Sequence, residues 1–201
     1  MQVLKEEVRQ KILQAAVEEF GASGYREASM RQIARRSGIT AGNIYRYFEN
    51  KEALFCCVMD PIWQEILHLI YIDKEMGNPQ NLNTLSVSYI VSHIIDICKE
   101  HADQFCILIA KSGGSPYADA KERLVNVVKK RLDEELIPAL RQLNGQEQDP
   151  LLSQVLAATI IDSFFSIIVE CRDDIPRMER LMQLMLVILF QDLDKRTGPP
   201  H

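Results

Sequence analysis

The chain of 201 residues has few of the features that mark a secreted, membrane-spanning or metal-binding protein. Its five cysteines form no C-x-x-C pair, which favours free thiols in a reducing compartment. The first twelve residues carry charges where a signal peptide needs an apolar run. The longest strictly apolar run, residues 184–190, is far shorter than the roughly 20 residues that cross a bilayer. We therefore expect a soluble cytoplasmic protein without membrane contact.

Signals for enzymatic chemistry are also scarce. No G-x-S-x-G elbow occurs, the four histidines form no H-x-x-x-H pair, and the glycines at 113–114 lack phosphate-loop spacing. We read residues 112–115 as a helix stop followed by a turn. The sequence predicts no catalytic residue, no metal and no cofactor; an enzyme with a site assembled from scattered residues is the distant alternative.

Strand periodicity is nearly absent, whereas apolar residues recur at helical spacing along most of the chain. We predict an all-α protein of about nine helices, comprising an N-terminal three-helix domain and a larger C-terminal helical domain. The predicted boundaries are 1–50 for the first domain, 51–197 for the second domain and 198–201 for a flexible tail. Gly24 should end the first helix, and Pro61 should kink or break the fourth.

The charge distribution is uneven. The whole chain carries a net charge of −5, but residues 31–51 hold five basic residues and one acidic residue. A local basic face on an acidic body suggests one specific contact with a polyanion.

Residues 29–51 have the pattern of a helix–turn–helix. Ser29 and Thr40 are good N-caps, and Gly38 lies in the short turn between two short helices. Ile44 and Phe48 should face inward, while small residues at the start of the second helix would let its end approach base edges. The predicted DNA-binding residues are Ser29, Arg31, Thr40, Ala41, Gly42, Asn43, Tyr45, Arg46, Tyr47 and Lys51.

This segment resembles the tetracycline-repressor (TetR) family of transcriptional regulators. The resemblance runs through SMRQIARRSGITAGNIYRYFENKEALF, residues 29–55, and covers about the first 58 residues. The matching positions are Ile33, Ala34, Gly38, Thr40, Gly42, Tyr45, Phe48, Lys51 and Leu54. This chain has Tyr47 where the family usually has histidine. The resemblance implies a repressor that a small organic ligand releases from a palindromic operator.

The last two predicted helices, residues 151–171 and 176–195, indicate a dimer. The second has almost no polar face between Leu181 and Phe190, so a monomer would have to bury it on several sides. We predict a four-helix bundle with a second copy; a central position in a monomeric core is the alternative. The predicted interface residues are Leu152, Val155, Thr159, Ser163, Ser166, Leu181, Met185, Ile188 and Leu189.

A ligand pocket is expected from apolar residues mixed with polar ones between Met59 and Phe165. The predicted lining residues are Trp63, Tyr89, His93, Phe105 and Phe164. Asp96 and Asp162 would favour a cationic ligand if they faced the pocket; the alternative places both at the exposed edge of their helices. A second functional hypothesis remains open, a DNA-binding dimer regulated by a protein partner or by its own level, without an inducer.

Overall fold

The computed structural model describes residues 2–71 and 84–190, except for the side chains of residues 2–4, 84–90 and 143–144. All regular elements in these two ranges are helical, so the predicted all-α class is confirmed. The α-helices are α1 (Gln2–Glu27), α2 (Met30–Arg36), α3 (Ala41–Ile44), α4 (Lys51–Tyr71), α5 (Thr84–Ala110), α6 (Ala120–Arg131), α7 (Ile137–Asn144), α8 (Leu151–Glu170) and α9 (Ile175–Phe190). A π-helical turn, Leu132–Leu136, joins α6 to α7.

Local signals in the sequence explain several helix boundaries. The Ser29 hydroxyl accepts a hydrogen bond from the Gln32 amide at the start of α2, as predicted. The backbone leaves the helical conformation at Gly24, which has φ 73°, so the predicted stop occurs there. A second break at His101, with φ −130°, divides α5 where the sequence predicts two helices.

Pro61 and Pro138 lie inside helical stretches, with different effects. A kink or break is predicted at Pro61, and the break is wrong, because α4 runs through this residue without interruption. Pro61 and Cys57 both lie on the exposed side of α4, where a carbonyl that loses its donor can be hydrated. At Pro138 the chain adapts through the preceding π turn, in which the Ile137 amide donates to the Leu132 carbonyl, five residues back.

Two compact units divide the chain, and their limits differ from the predicted boundary at residue 50. Unit 1 contains residues 1–65 and 101–120, and unit 2 contains residues 66–100 and 121–201. Unit 1 has an aromatic cluster in which Phe55 packs edge-on against Phe20 and Tyr25, and Trp63 packs edge-on against Tyr117. These contacts explain why unit 1 extends beyond the helix–turn–helix. The predicted tail, 198–201, lies outside the described residues.

Helices of unit 2 pack through aliphatic and aromatic side chains. Ile160, Phe164 and Ile168 of α8 are buried, as are Met182 and Leu186 of α9. Helices α4 and α8 reach the length and mean hydropathy of a membrane span, a test that core helices of soluble proteins also pass.

The cysteines are free thiols, as predicted; Cys98 and Cys171 are buried, whereas Cys57 is exposed and not part of the core.

Candidate DNA interface and ligand cavity

The turn between α2 and α3 is built by a glycine in the left-handed conformation. Gly38 has φ 73°, and its amide donates to the Arg35 carbonyl. The next amide, of Ile39, donates to the Ala34 carbonyl at 3.0 Å, which completes a Schellman motif. The Thr40 hydroxyl then accepts from the Asn43 amide and starts α3. The predicted helix–turn–helix is therefore present.

Helix α3 and the turn after it present two different faces. Ile44 is fully buried and Phe48 is 4% exposed, so both anchor the segment to unit 1 as predicted. Tyr45, by contrast, is 55% exposed and is one of the few large aromatic side chains on the described surface. The α-helical part ends at Ile44, and the chain continues as a turn through Tyr47.

Neither the packing nor the backbone conformation within this chain requires glycine at position 42. A Cβ atom added there would meet nothing within 4 Å, and its φ does not lie in the left-handed region. Gly38 differs, because its positive φ would strain any side chain. The space above Gly42 is therefore open to something outside the chain.

The predicted DNA-binding residues fall into two groups by exposure. Exposed residues are Arg31, Thr40, Ala41, Gly42, Tyr45 and Arg46; half-buried residues are Ser29, Asn43, Tyr47 and Lys51. Arg35 is not among the predicted site residues, although it is exposed on the last turn of α2. Its position in the basic segment 31–51 was the signal that could have identified it.

Lys51 has a different role from the predicted phosphate contact. Its ammonium donates to the carbonyls of Tyr25, Arg26 and Ala28 at 2.7, 3.0 and 3.0 Å. It also lies 4.6 Å from the centre of the Tyr25 ring. An ammonium has three protons, and three carbonyl oxygens take them. Lys51 therefore ties the end of α1 to the start of α4.

The Tyr25 hydroxyl near this contact has a raised pKa. Burial is the main cause of the shift, and the Glu52 carboxylate adds to it.

A second basic residue of this segment is paired with acidic residues of α1. The Arg36 guanidinium, 40% exposed, donates to the buried Glu19 carboxylate at 2.9 Å and lies 3.8 Å from Glu18. The other exposed basic side chains of residues 31–51 are Arg31, Arg35 and Arg46.

Unit 2 contains a partly enclosed cavity of about 190 Å³. It is lined by the end of α4, by α5 to α9 and by the π turn. The lining residues are Leu69, Ile70, Ile94, Val128, Arg131, Leu132, Glu135, Leu136, Ala139, Ile160, Phe164, Leu186 and Phe190. Most of this lining is apolar, and its two charged residues are Arg131 and Glu135.

Those two charged residues are bound to each other. Arg131 donates from Nη2 to Glu135 Oε2 at 2.9 Å and from Nε to Oε1 at 3.2 Å. The Nη1 group of the same guanidinium donates to the Ile70 carbonyl in the last turn of α4. The side chains are 17% and 28% exposed. The cavity wall thus carries a paired, net-neutral charge, and Arg131 caps α4.

The predicted ligand residues are mostly elsewhere. Phe164 lines the cavity, whereas Trp63 and Phe105 are buried in unit 1. His93 is half-buried in α5 and does not line the cavity, and the side chain of Tyr89 lies outside the described residues. Asp96 and Asp162 are exposed and pair with Lys99 and Lys121, so neither faces the cavity. The predicted lining residues are mostly aromatic or histidine side chains, whereas the cavity is mainly aliphatic.

Helices α8 and α9 expose an apolar stripe, defined here as Leu151, Val155, Val169, Leu184 and Ile188, each 48–62% exposed. Among the predicted interface residues, Val155, Thr159, Ser166 and Ile188 are exposed, while Leu152, Ser163, Leu181, Met185 and Leu189 are half-buried. The sequence predicts that α9 needs burial on several sides; within one chain, Leu184 and Ile188 of this helix stay exposed.

The polar residues between the stripe residues have partners within the chain. The Thr159 hydroxyl donates to the Val155 carbonyl and the Ser166 hydroxyl to the Asp162 carbonyl, both at 2.8 Å. Covering the stripe would therefore leave neither donor unsatisfied.

Comparison with known proteins identifies the N-terminal segment. Residues 12–56 match the model of the bacterial regulatory proteins of the tetR family. The chain is 24% identical over 161 residues to YuxN of Bacillus subtilis, described as an uncharacterized HTH-type transcriptional regulator. This match covers 80% of the chain and 53% of YuxN, so the chain spans about half the length of that relative.

Solved structures share the fold. A transcriptional regulator from Aquifex aeolicus has a TM-score of 0.63 at 17% identity, covering 91% of this chain and 99% of that one. FadR of Bacillus subtilis, solved in complex with stearoyl-CoA, has a TM-score of 0.53 at 15% identity, covering 88% and 97%. Together with the helix–turn–helix geometry, the match of residues 12–56 shows a DNA-binding domain of the tetR type, and over most of its length the chain is similar to an HTH-type transcriptional regulator.

Proposed function

We propose that the protein represses transcription by binding a palindromic operator as a homodimer, and that a small organic ligand in the unit 2 cavity releases it. The observation that carries the DNA contact is the open space above Gly42. That residue lies at the start of α3, beside exposed Thr40, Tyr45 and Arg46. A recognition helix whose first turn lacks side-chain bulk can approach base edges in the major groove.

Substitutions at Gly42 test this contact. Gly42→Ala should leave stability unchanged or raise it by up to about 1 kcal/mol, because alanine is the better helix former and has room. The same change should weaken binding to the selected operator, and Gly42→Glu should abolish specific binding. The measurements are thermal unfolding and fluorescence anisotropy with an operator fragment selected from a genomic DNA pool.

Gly38→Ala is the matched control. It lies in the same turn but has φ 73°, so it should lose roughly 1–2 kcal/mol of stability. Operator affinity that stays at the wild-type level in Gly42→Glu would contradict the proposed recognition helix.

The homodimer is supported by the apolar stripe on α8 and α9. Large exposed apolar patches on soluble proteins commonly mark interaction sites. A two-fold dimer places one patch against its own copy, and two recognition helices about 34 Å apart then read successive turns of the major groove. Because its partner is DNA, we infer that the protein acts in the cytoplasm.

Ligand release is supported by the position of the cavity at the end of α4. Leu69 and Ile70 of α4 line it, while Lys51 at the other end of the same helix is bound to α1. A ligand that binds one arrangement of α4 more tightly would shift operator affinity, typically about 5–150-fold. If cavity ligands bind without changing operator affinity, regulation by a protein partner or by level becomes the better explanation.

A further inference from the structure

The charges on the cavity wall determine whether the cavity favours a charged or an uncharged ligand group. Among its lining residues, the positive charge of Arg131 and the negative charge of Glu135 satisfy each other through a bidentate pair. The other lining residues carry no charge. An ion brought into this cavity would lose its hydrating water and meet no unpaired counter-charge among the described lining residues. An uncharged group would lose little hydration on entering.

We propose that the ligand group held in the cavity is an uncharged alkyl chain with a neutral polar end, and that the Arg131–Glu135 pair sets this preference. The inference rests on the proposed ligand-binding function of unit 2. The neutral end can accept from the guanidinium or donate to the carboxylate without separating them. The alkyl chain lies along the aliphatic wall formed by Val128, Ile160 and Leu186.

The π turn strengthens the case that this wall is a site. It contributes Leu132, Glu135 and Leu136 to the lining. Single π turns within helices are frequent at functional sites. The Arg131 guanidinium also donates a hydrogen bond to the Ile70 carbonyl. A ligand group that contacts Arg131 and Glu135 would therefore lie close to the last turn of α4.

Three probes with one chain length and different charges test the preference: 1-octanol, octanoate and octylammonium, titrated at neutral pH in a calorimeter. We expect 1-octanol to bind the full-length protein at least about tenfold more tightly than either ion. Octanoate or octylammonium binding as tightly as 1-octanol, or no binding of 1-octanol at all, would overturn the proposal.

Two charge variants show whether the pair is responsible. Glu135→Gln removes the Glu135 carboxylate from the Arg131 guanidinium, so octanoate should gain about tenfold relative to 1-octanol. Arg131→Gln should shift the preference towards octylammonium instead. If neither variant changes the order of the three probes, the pair does not set the preference.

A volume variant locates the binding. Ala139→Met fills part of the cavity and should weaken 1-octanol binding about tenfold or more, whereas Gln142→Met, on the exposed side of α7, should not. Binding that Ala139→Met leaves unchanged would place the probe elsewhere and overturn the proposal.

Operator affinity is measured separately in the presence of each probe. If the three probes bind in the expected order but 1-octanol leaves operator affinity unchanged, the proposed ligand class is supported and the proposed ligand-controlled release is wrong.

Discussion

At the scale of single residues, Lys51 shows how a basic residue in a DNA-binding segment can serve the fold. Its ammonium bonds to three carbonyls that belong to residues 23–26 positions earlier. The end of α1 and the start of α4 are thereby held together beneath the helix–turn–helix. A contact of this kind fixes the geometry of the recognition helix without touching DNA.

Lys51→Met should therefore lower the free energy of unfolding by about 1–3 kcal/mol, because it keeps the alkyl stem but removes charged hydrogen bonds. Arg46→Met is the matched control. Arg46 is exposed, so its loss should leave stability unchanged but reduce the slope of operator affinity against salt by about one phosphate contact. Thermal unfolding and salt titrations separate the two roles; a wild-type melting temperature in Lys51→Met would contradict this assignment.

Asp133 makes stability depend on pH. The hydrogen bond from the Lys129 ammonium lowers the pKa of this carboxyl below its ordinary value, and the Ser153 hydroxyl adds to the shift. A lowered pKa in the folded state means that the contribution is present above the unfolded pKa, about 3.9, and is lost as pH falls through the folded value.

Asp133→Asn should consequently reduce stability at neutral pH, and the difference from wild type should shrink below about pH 4. Asp173→Asn is the control, since Asp173 is exposed and the described residues give it no ion pair. The measurement is urea unfolding at a series of pH values. A difference that stays constant into acid would show that the carboxylate charge is not the cause.

At the scale of elements, helix ends determine which segments are joined. Lys51 ties α4 to the end of α1, and Arg131 caps the last turn of α4 in unit 2. The carbonyls in the last turn of a helix have no partner within it, so a side-chain donor there stabilises the end. Helix α4 thus has a side-chain hydrogen bond near each of its ends, both made by basic residues.

Arg131→Met should lower stability by about 1–3 kcal/mol and increase hydrogen exchange in the last turn of α4, because it leaves the Ile70 carbonyl and Glu135 without this donor. Lys130→Met is the matched control. Lys130 is 67% exposed and lies 3.9 Å from Glu134, so its loss should change stability by less than about 0.5 kcal/mol. Equal effects of the two substitutions would argue against a capping role.

At the scale of the whole molecule, the apolar stripe sets the expected assembly. An obligate interface buries on the order of 2,000 Å², with apolar residues at its centre. Five large apolar side chains on α8 and α9 supply such a centre, and the hydroxyls among them bond within their own helix.

Ile188→Arg should convert the dimer to monomers or aggregates and abolish operator binding, because it places a charge in the centre of the interface. Asn126→Arg, an exposed position on α6, should leave both unchanged. Sedimentation at low micromolar concentration measures the mass. A wild-type protein that sediments as a folded monomer of 23.0 kDa would refute the homodimer.

The amino-acid sequence by itself determines the features that depend on neighbouring residues. The hydroxyls of Ser29 and Thr40 accept hydrogen bonds from amides three residues further on and so cap α2 and α3. Gly24 and Gly38 adopt positive φ angles, which are strained for other residues. The helix–turn–helix and the all-α class could be predicted because such signals act within about one helical turn.

The tertiary structure decides the contacts between residues that are far apart in the chain. Lys51 is engaged by carbonyls of residues 25–28, and Trp63 packs with Tyr117 in unit 1 and does not line the cavity. Arg131 donates a hydrogen bond to the carbonyl of Ile70, which lies 61 positions earlier in the chain. Glu135 lines the cavity because the π turn packs among the helices that form it. Periodicity indicates which side of a helix is apolar, but not which other helix covers it, since many partners offer a similar apolar surface. The helix–turn–helix therefore follows from the sequence, whereas the cavity and its charge pair follow from packing.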